Sequence, residues 1–403
     1  MKGERLKKLK VRISSFSLKD MLNFKNLPLR RDKAIEAAED KEIVADFPIN
    51  NNARALHPDY QKMVVQGIID RDSLGTKTLV LKKADGSAAA WFRPGQYVSL
   101  KMKIGSSYVS RPYSVSSSPK MTRDGKIHVT VRPKEGGFVS KHLLEDVKVG
   151  DSLLVSGPDG QFYHDPLRDS SNVVAIAGGS GITPFISMAF AIRDGIEDFN
   201  LTIISGSRTG DSILFRKELE VLQEETDRVK VVHVLSEEKK DGFEHGFITA
   251  DLIKKYAPED YSLFICGPQG LYTHMDTEVA KLGLPARRVR REILGAEIRA
   301  EDGAFETYTL KVIQGPQVFE IPARSDESLL VAIERGGIMA PSKCRSGECG
   351  WCRSKLLSGK VFIPCSHDSR RQKDRESDHI HVCVTFPQSD IVLEIPRGDY
   401  PVD

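Results

Sequence analysis

Cys344-Arg345-Ser346-Gly347-Glu348-Cys349-Gly350-Trp351-Cys352, with a fourth cysteine at Cys383, decides the reading of this chain. The x4-then-x2 spacing with one distant partner is a ligand pattern for a 2Fe–2S centre. Three thiolates come from one loop that must fold back around two irons. Gly347 and Gly350 supply the backbone freedom and let N–H groups approach the sulfurs. Ser346 adds a hydroxyl donor, and such donors tune a cluster. Structural zinc sites favour C-x2-C pairs on both sides, which this spacing does not match. A ligand set using His367, His379 or His381 is unnecessary with four well-spaced cysteines. Cys365 lies outside the pattern and reads as a structural thiol. A centre of this kind moves one electron and performs no group chemistry. The rest of the chain must therefore supply a source and a destination.

The bulk numbers bound the answer. A length of 403 residues implies several domains, and a 40% hydrophobic fraction is ordinary for a globular chain. No apolar run approaches the ~18–20 residues of a membrane span. The basic N-terminus is not followed by the apolar segment of a secretory signal. Six cysteines in a chain this long do not read as a disulfide scaffold, so a reducing, cytoplasmic setting is expected. The net charge of +3 hides an asymmetry. Residues 1–33 hold eleven Lys/Arg and three Asp/Glu, a local +8, which leaves −5 for the remainder. Such an arm suits an acidic partner, a membrane surface or nucleic acid, or is simply a solvated extension. It has few aromatics beyond Phe16 and Phe24 and no nucleic-acid motif, so no nucleic-acid partner is expected.

Texture divides the chain. Residues 1–59 read as a basic extension with weak helical pieces. Ala34–Ile43 has helix-forming composition, and Pro48, Asn50–Asn52 and Pro58 are expected to break it up. From Met63, short strand-like runs (MVVQGII, TKTLVLK, QYVSLKM, KIHVTVR, DSLLVSG) suggest a β-barrel or sandwich, and an antiparallel β-barrel is expected over 60–168. Around Asn172 the buried run NVVAIAGG opens an alternation of strands and helices, predicting a parallel α/β sheet over 169–297. A linker at 298–306 follows. Two strand-like runs, the helical SLLVAIERGG, the cysteine loop and DIVLEIP then predict a small α+β, β-grasp domain over 307–403.

Four further motifs precede the cysteines. Arg111-Pro112-Tyr113-Ser114 offers a guanidinium for a flavin phosphate, a ring for stacking on isoalloxazine and a hydroxyl for flavin N5; alone it also reads as a surface strand. Gly136-Gly137-Phe138-Val139-Ser140 opens the helical SKHLLED, a place for a phosphate or an ordinary helix capped by Ser140. Gly178-Gly179-Ser180-Gly181-Ile182-Thr183-Pro184 follows a buried strand and opens a helix, the context for a pyrophosphate. It is not the GxGxxG fingerprint. Cys266-Gly267-Pro268 ends the strand SLFIC, where open α/β folds bind ligands.

In this order and spacing the four motifs resemble the ferredoxin–NADP reductase superfamily. With the cysteine domain, residues ~60–400 resemble the reductase components of multicomponent oxygenases. The resemblance implies that Arg111, Tyr113 and Ser114 hold the flavin, and that Gly137, Val139 and Ser140 meet its phosphates. It places the nicotinamide pyrophosphate on Gly179, Gly181 and Thr183. Thr183 and Cys266 would flank the nicotinamide near flavin N5, with Gly267 as a further cofactor-binding residue and Glu292 of RREILG as the carboxylate beside that site. Ser114, Cys266 and Glu292 are thus the candidate catalytic residues, and Cys344, Cys349, Cys352 and Cys383 the metal ligands.

FAD is the expected flavin, with FMN as the alternative. Phe162 or Tyr163 in GPDGQFYH is a stacking candidate for an adenine, or core. Ser207 and Arg208 suit a 2′-phosphate, whereas Asp211 suits a free ribose hydroxyl; NADH is favoured over NADPH. The function expected is electron transfer from NAD(P)H through flavin and cluster, one electron at a time, to a separate redox protein such as an oxygenase or demethylase. Lys343, Arg345, Arg353 and Lys355 are expected to form a basic docking rim for it. The alternatives are a self-contained diaphorase or quinone reductase, and a redox-sensing module.

Overall fold

The computed structural model describes residues 17–37, 47–292, 295 and 305–398. Two compact units divide the chain, Met1–Asn52 and Ala53–Asp403. Near the N-terminus lie α1 (Leu18–Glu36) and α2 (Pro48–Leu56). The break expected at Pro48 and Asn50–Asn52 does not occur. Pro48 is the first residue of α2, where its missing N–H forfeits no helical hydrogen bond. Residues 38–43 of the expected helical stretch, and 298–304 of the expected linker, lie outside the described residues.

Six strands form the first sheet: β1 (Tyr60–Asp70), β2 (Lys77–Lys83), β3 (Tyr97–Ile104), β4 (Ser107–Ser114), β5 (Lys126–Val131) and β6 (Ser152–Ser156). Their order is β4-β3-β6-β1-β2-β5, with every pairing antiparallel. An isolated bridge between Val115 and Val129 brings the end of β4 against β5, so the sheet curls on itself. Alternate residues such as Met63 and Val65, and Leu79 and Leu81, fill its interior. Strand β4 contributes only Val109 as a fully buried aliphatic, so apolar alternation does not reveal it. Helix α3 (Phe138–Lys141) follows and runs on as a π-type turn over His142–Asp146. Its N-cap is Gly137, three residues before the serine expected to cap it.

The second sheet is wholly parallel: β7 (Asn172–Gly178), β8 (Asn200–Ser207), β9 (Val229–Leu235), β10 (Glu244–His245), β11 (Ser262–Cys266) and β12 (Val289–Arg291), ordered β10-β9-β8-β7-β11-β12. Helices α4 (Thr183–Arg193), α5 (Arg216–Glu225), α6 (Ala250–Tyr256) and α7 (Gln269–Ala280) cover it. Val173, Ala175 and Ala177 of β7 pack with Phe185 of α4, while Val174 and Ile176 pack with Met275 of α7. Burial on both faces is why this strand reads as a continuous apolar run. Strand β7 has β8 on one side and β11 on the other, which makes it the switch point of the sheet.

The third sheet, β14-β13-β19-β15-β17, is mixed. It comprises β13 (Thr307–Gln314), β14 (Gln317–Arg324), β15 (Arg353–Ser358), β17 (His379–His381) and β19 (Ile391–Glu394); β16 (Val361–Phe362) pairs separately with β18 (Phe386–Pro387). Helix α8 (Leu329–Arg335) buries Leu329, Leu330 and Ile333 against it and is N-capped by Ser328. A short α9 (Gln372–Glu376) precedes β17. Among the described residues no helix is long and apolar enough to cross a membrane.

Candidate functional site

The switch point sets the first part of the site. Beyond β7, Gly179–Ile182 form a 3-10 turn that leads into α4, with Pro184 in its first turn. A Cβ on Gly181 would lie 2.0 Å from the Cys266 carbonyl oxygen, so glycine is required for this loop to touch the end of β11. Thr183 Oγ1 donates to the Ser180 carbonyl at 2.9 Å. The Gly267 N–H donates to the Tyr272 hydroxyl at 3.2 Å, and Tyr272 donates to the Glu292 carbonyl. Burial, and then the nearby Glu292 charge, push the Cys266 thiol up, so it stays protonated. A cavity of about 590 Å³ opens here, lined by Gly179, Ser180, Ser207, Arg208, Pro268 and His274 among others. Its size and its place at the carboxyl ends of the strands suit a dinucleotide. Arg208 is exposed and faces Glu237 at 3.6 Å.

The second part rests on β3 and β4, whose register sets Leu100 opposite Arg111 and Tyr97 opposite Ser114. Arg111 Nη1 donates to the Ser110 carbonyl at 2.8 Å and to Glu334 Oε2 of α8 at 3.1 Å. Arg345 Nη1 meets Glu334 Oε1 at 2.6 Å. Two guanidiniums thus share one buried carboxylate and leave one positive charge in excess. Burial, and then the Arg345 charge, lower the Arg111 pKa. Nearby, Ser342 Oγ is buried without a hydrogen-bond partner. A site with excess positive charge and an unused hydroxyl fits the phosphate of a flavin. Burial raises Tyr113 to about 12, so its ring and hydroxyl remain neutral. Val139 is buried, and a Cβ on Gly137 would meet Ser140 Oγ at 2.3 Å. Phe162 is core, packed between Phe185 and Phe264 with centroids 5.7 and 5.3 Å away, and is not free to stack on an adenine. The Tyr163 ring lies under Arg93 at 3.8 Å.

The cysteine loop supplies the third part. Cys344, Cys352 and Cys383 are buried and Cys349 is exposed. Cys344 lies within hydrogen-bonding reach of Cys349, and Cys352 of Cys383. Among the described residues no three His, Cys, Asp or Glu side chains converge as on a single ion. Thiols paired two and two suit a centre of two irons. The N–H groups of Ser346 and Cys349 each donate to Cys344 Sγ at 3.4 Å, and that of Trp351 donates to Cys349 Sγ at 3.5 Å. Gly347, at φ +83°, could not bear a Cβ, which would lie 2.5 Å from the His367 carbonyl. Its own carbonyl accepts from His381 Nδ1 at 2.6 Å. His381 therefore braces the loop. Cys365 is exposed, at the start of the 3-10 turn Cys365–His367.

The three parts meet. Ser99 Oγ donates to the Lys343 carbonyl at 3.2 Å and Ser110 Oγ to the Ser342 carbonyl at 3.1 Å, which seats the cysteine loop on β3 and β4. Glu292 is half-buried, and desolvation, then Glu348 and Cys344, push it up to about 8. The expected basic rim is only partly a rim. Arg345 is turned inward onto Glu334, and Lys343 is held between Asp159 and the Trp351 ring, leaving Arg353, paired with Asp374, and Lys355 outside. Glu334, Ser99 and Ser110 escape sequence reasoning. A glutamate in SLLVAIERGG reads as surface charge, and serines on a strand carry no motif.

Residues 70–164 match the oxidoreductase FAD-binding domain family, 175–277 the oxidoreductase NAD-binding domain family, and 312–388 the 2Fe-2S iron-sulfur cluster binding domain family. The chain is 30% identical over 371 residues to the ferredoxin reductase component of 3-ketosteroid-9-alpha-monooxygenase from Mycobacterium tuberculosis, which spans 87% of this chain and 98% of the relative. The corresponding component from Rhodococcus rhodochrous is 30% identical over 318 residues, spanning 74% of this chain and 86% of its own length. The glycine betaine monooxygenase reductase of Chromohalobacter salexigens is 26% identical, over 77% of this chain and 89% of its own length. Among solved structures, phthalate dioxygenase reductase shares the fold with a TM-score of 0.63 at 23% identity, over 83% of this chain and 98% of that chain.

Proposed function

Because the chain belongs to the family of reductase components that join FAD-binding, NAD-binding and 2Fe–2S domains, we propose that the acceptor of its electrons is the metal centre of a separate oxygenase. The chain is an NAD(P)H-dependent oxidoreductase that passes electrons through FAD and a 2Fe–2S centre to a partner redox protein. A flavin held on β3 and β4 would take a hydride's two electrons together and, with a 2Fe–2S centre on the four cysteines, would allow their release one at a time, two for each NAD(P)H oxidised. We assign 60–168 to the flavin domain, 169–297 to the nucleotide domain, 298–306 to the linker and 307–403 to the cluster domain, with 1–59 as an extension.

In this reading Arg111 meets the flavin phosphate, and Tyr113 and Ser114 face its ring system. Gly137, Val139 and Ser140 line the phosphate end. Gly179, Gly181, Thr183 and Gly267 hold the dinucleotide beside Cys266 and Glu292. Cys344, Cys349, Cys352 and Cys383 hold the cluster. The pairing of Arg208 with Glu237, and the exposed Asp211 beside it, favour NADH over NADPH. Cys349, Trp351, Arg353 and Lys355 form the face through which an acidic partner is reached, and the setting is cytoplasmic.

The observation that carries the reading is the seating of Ser342 and Lys343 on the strands that bear Arg111 and Tyr97. It sets the cluster loop beside the flavin strand. Cys352→Ser tests it. The variant should keep NADH-driven reduction of ferricyanide, a direct flavin acceptor, and lose most reduction of a protein acceptor. Undiminished protein-acceptor turnover by this variant would sink the proposal and favour a diaphorase.

A further inference from the structure

Glu334 stands in the last turn of α8, where the negative end of the helix dipole disfavours a carboxylate. It is only 4% exposed. Nothing within α8 asks for a buried anion there. Its oxygens instead accept from two guanidiniums on different parts of the site: Arg111 of the flavin strand and Arg345 of the cysteine loop. Arg345 also reaches the Ser110 carbonyl at 3.4 Å and holds a positive φ of 59° that a non-glycine residue seldom adopts. Two serine bonds, from Ser99 and Ser110 to the backbone of Lys343 and Ser342, run alongside. An ion triad around a buried carboxylate adds little net stability over an apolar cluster of the same volume, but it can fix a geometry.

We propose that Glu334 is a positioning residue that locks the cysteine loop against the flavin strand, so that electrons cross between the two cofactors in a fixed contact and not through repeated docking of the ferredoxin domain. The proposal rests on the reading of Arg111 as the flavin-phosphate residue and of the four cysteines as cluster ligands. The same carboxylate competes with the flavin phosphate for Arg111. Its removal therefore frees a guanidinium for the flavin while releasing the cluster loop. The two effects have opposite signs, which a merely structural residue would not produce.

The test uses cofactor-loaded full-length protein, wild type and Glu334→Gln, mixed rapidly with NADH without oxygen. Flavin bleaching and cluster bleaching are followed separately. Flavin dissociation is measured by fluorescence, and backbone hydrogen exchange over 342–345 by mass spectrometry. The expected result is flavin bound more tightly than in wild type, cluster bleaching slowed ~10-fold or more relative to flavin bleaching, and faster exchange over 342–345. Arg345→Gln, which leaves the Arg111–Glu334 pair intact, should show the same slow cluster step and carries the test if Glu334→Gln does not fold. Wild-type cluster bleaching in the variants would overturn the proposal. So would flavin loss in step with the slower transfer, since that is general loosening. A wild-type protein whose cluster is never reduced by NADH would instead defeat the function reading itself.

Discussion

Gly181 and His128 show how differently single residues announce themselves. Gly181 belongs to a loop motif, and its necessity is steric: a methyl group would sit 2.0 Å from the Cys266 carbonyl. Gly181→Ala should push the loop off β11, raise the KM for NADH several-fold and leave flavin content intact, as steady-state kinetics and absorption spectra would report. His128 belongs to no motif. Burial, and then the Arg71 and Lys126 charges, push its imidazole down to about 4 from an ordinary 6.5. Between those values the unfolded chain takes up a proton that the folded chain refuses. Stability is therefore lost as pH falls from about 6.5 towards 4. His128→Gln should flatten that loss by on the order of 1–2 kcal/mol, after discounting for partial exposure. Urea midpoints at pH 6.5 and 4.5 check this, and parallel slopes for both proteins would refute it.

At the scale of elements, legibility follows burial and length. Strand β7 and helix α4 are readable because an unbroken apolar stretch ends in glycines and a proline. Strands β10, β12, β16, β17 and β18 have two or three residues each, too few for any period to register. Yet β12 holds a strong tie. Arg290 donates to Asp169 and to the Tyr163 carbonyl, both at 2.6 Å, and also to the Gln161 carbonyl, which pins the loop after β6 to the second sheet. The Asp169 side chain is fully buried. Arg290→Leu would strand its charge and should cost about 3–5 kcal/mol. Adding Asp169→Leu should recover much of that loss. Thermal unfolding of the single and double variants checks it, and equal losses would show that the pair does not matter as a pair.

For the whole molecule, the cluster is expected to be part of the third domain's folding energy, because its ligands join the loop before β15 to Cys383 in the turn after β17. Removing iron with a chelator under reducing conditions should lower and split the calorimetric transition, the 307–403 region melting first, with the flavin still bound elsewhere. A single unshifted transition would contradict this.

Local spacing was enough to determine the cluster, the glycine loops and the order of the three domains. Three of the four cluster ligands and each glycine turn lie within a few residues of one another, where covalent geometry enforces proximity, and Cys383 is legible because it completes the set. The sequence could not disclose that Glu334 lies 223 residues from Arg111 along the chain yet touches it, or that Arg345 faces inward and not towards a partner. Those facts depend on how α8 and the cysteine loop pack against β3 and β4. Only the folded chain brings a surface-type glutamate between two half-buried arginines and buries its carboxylate.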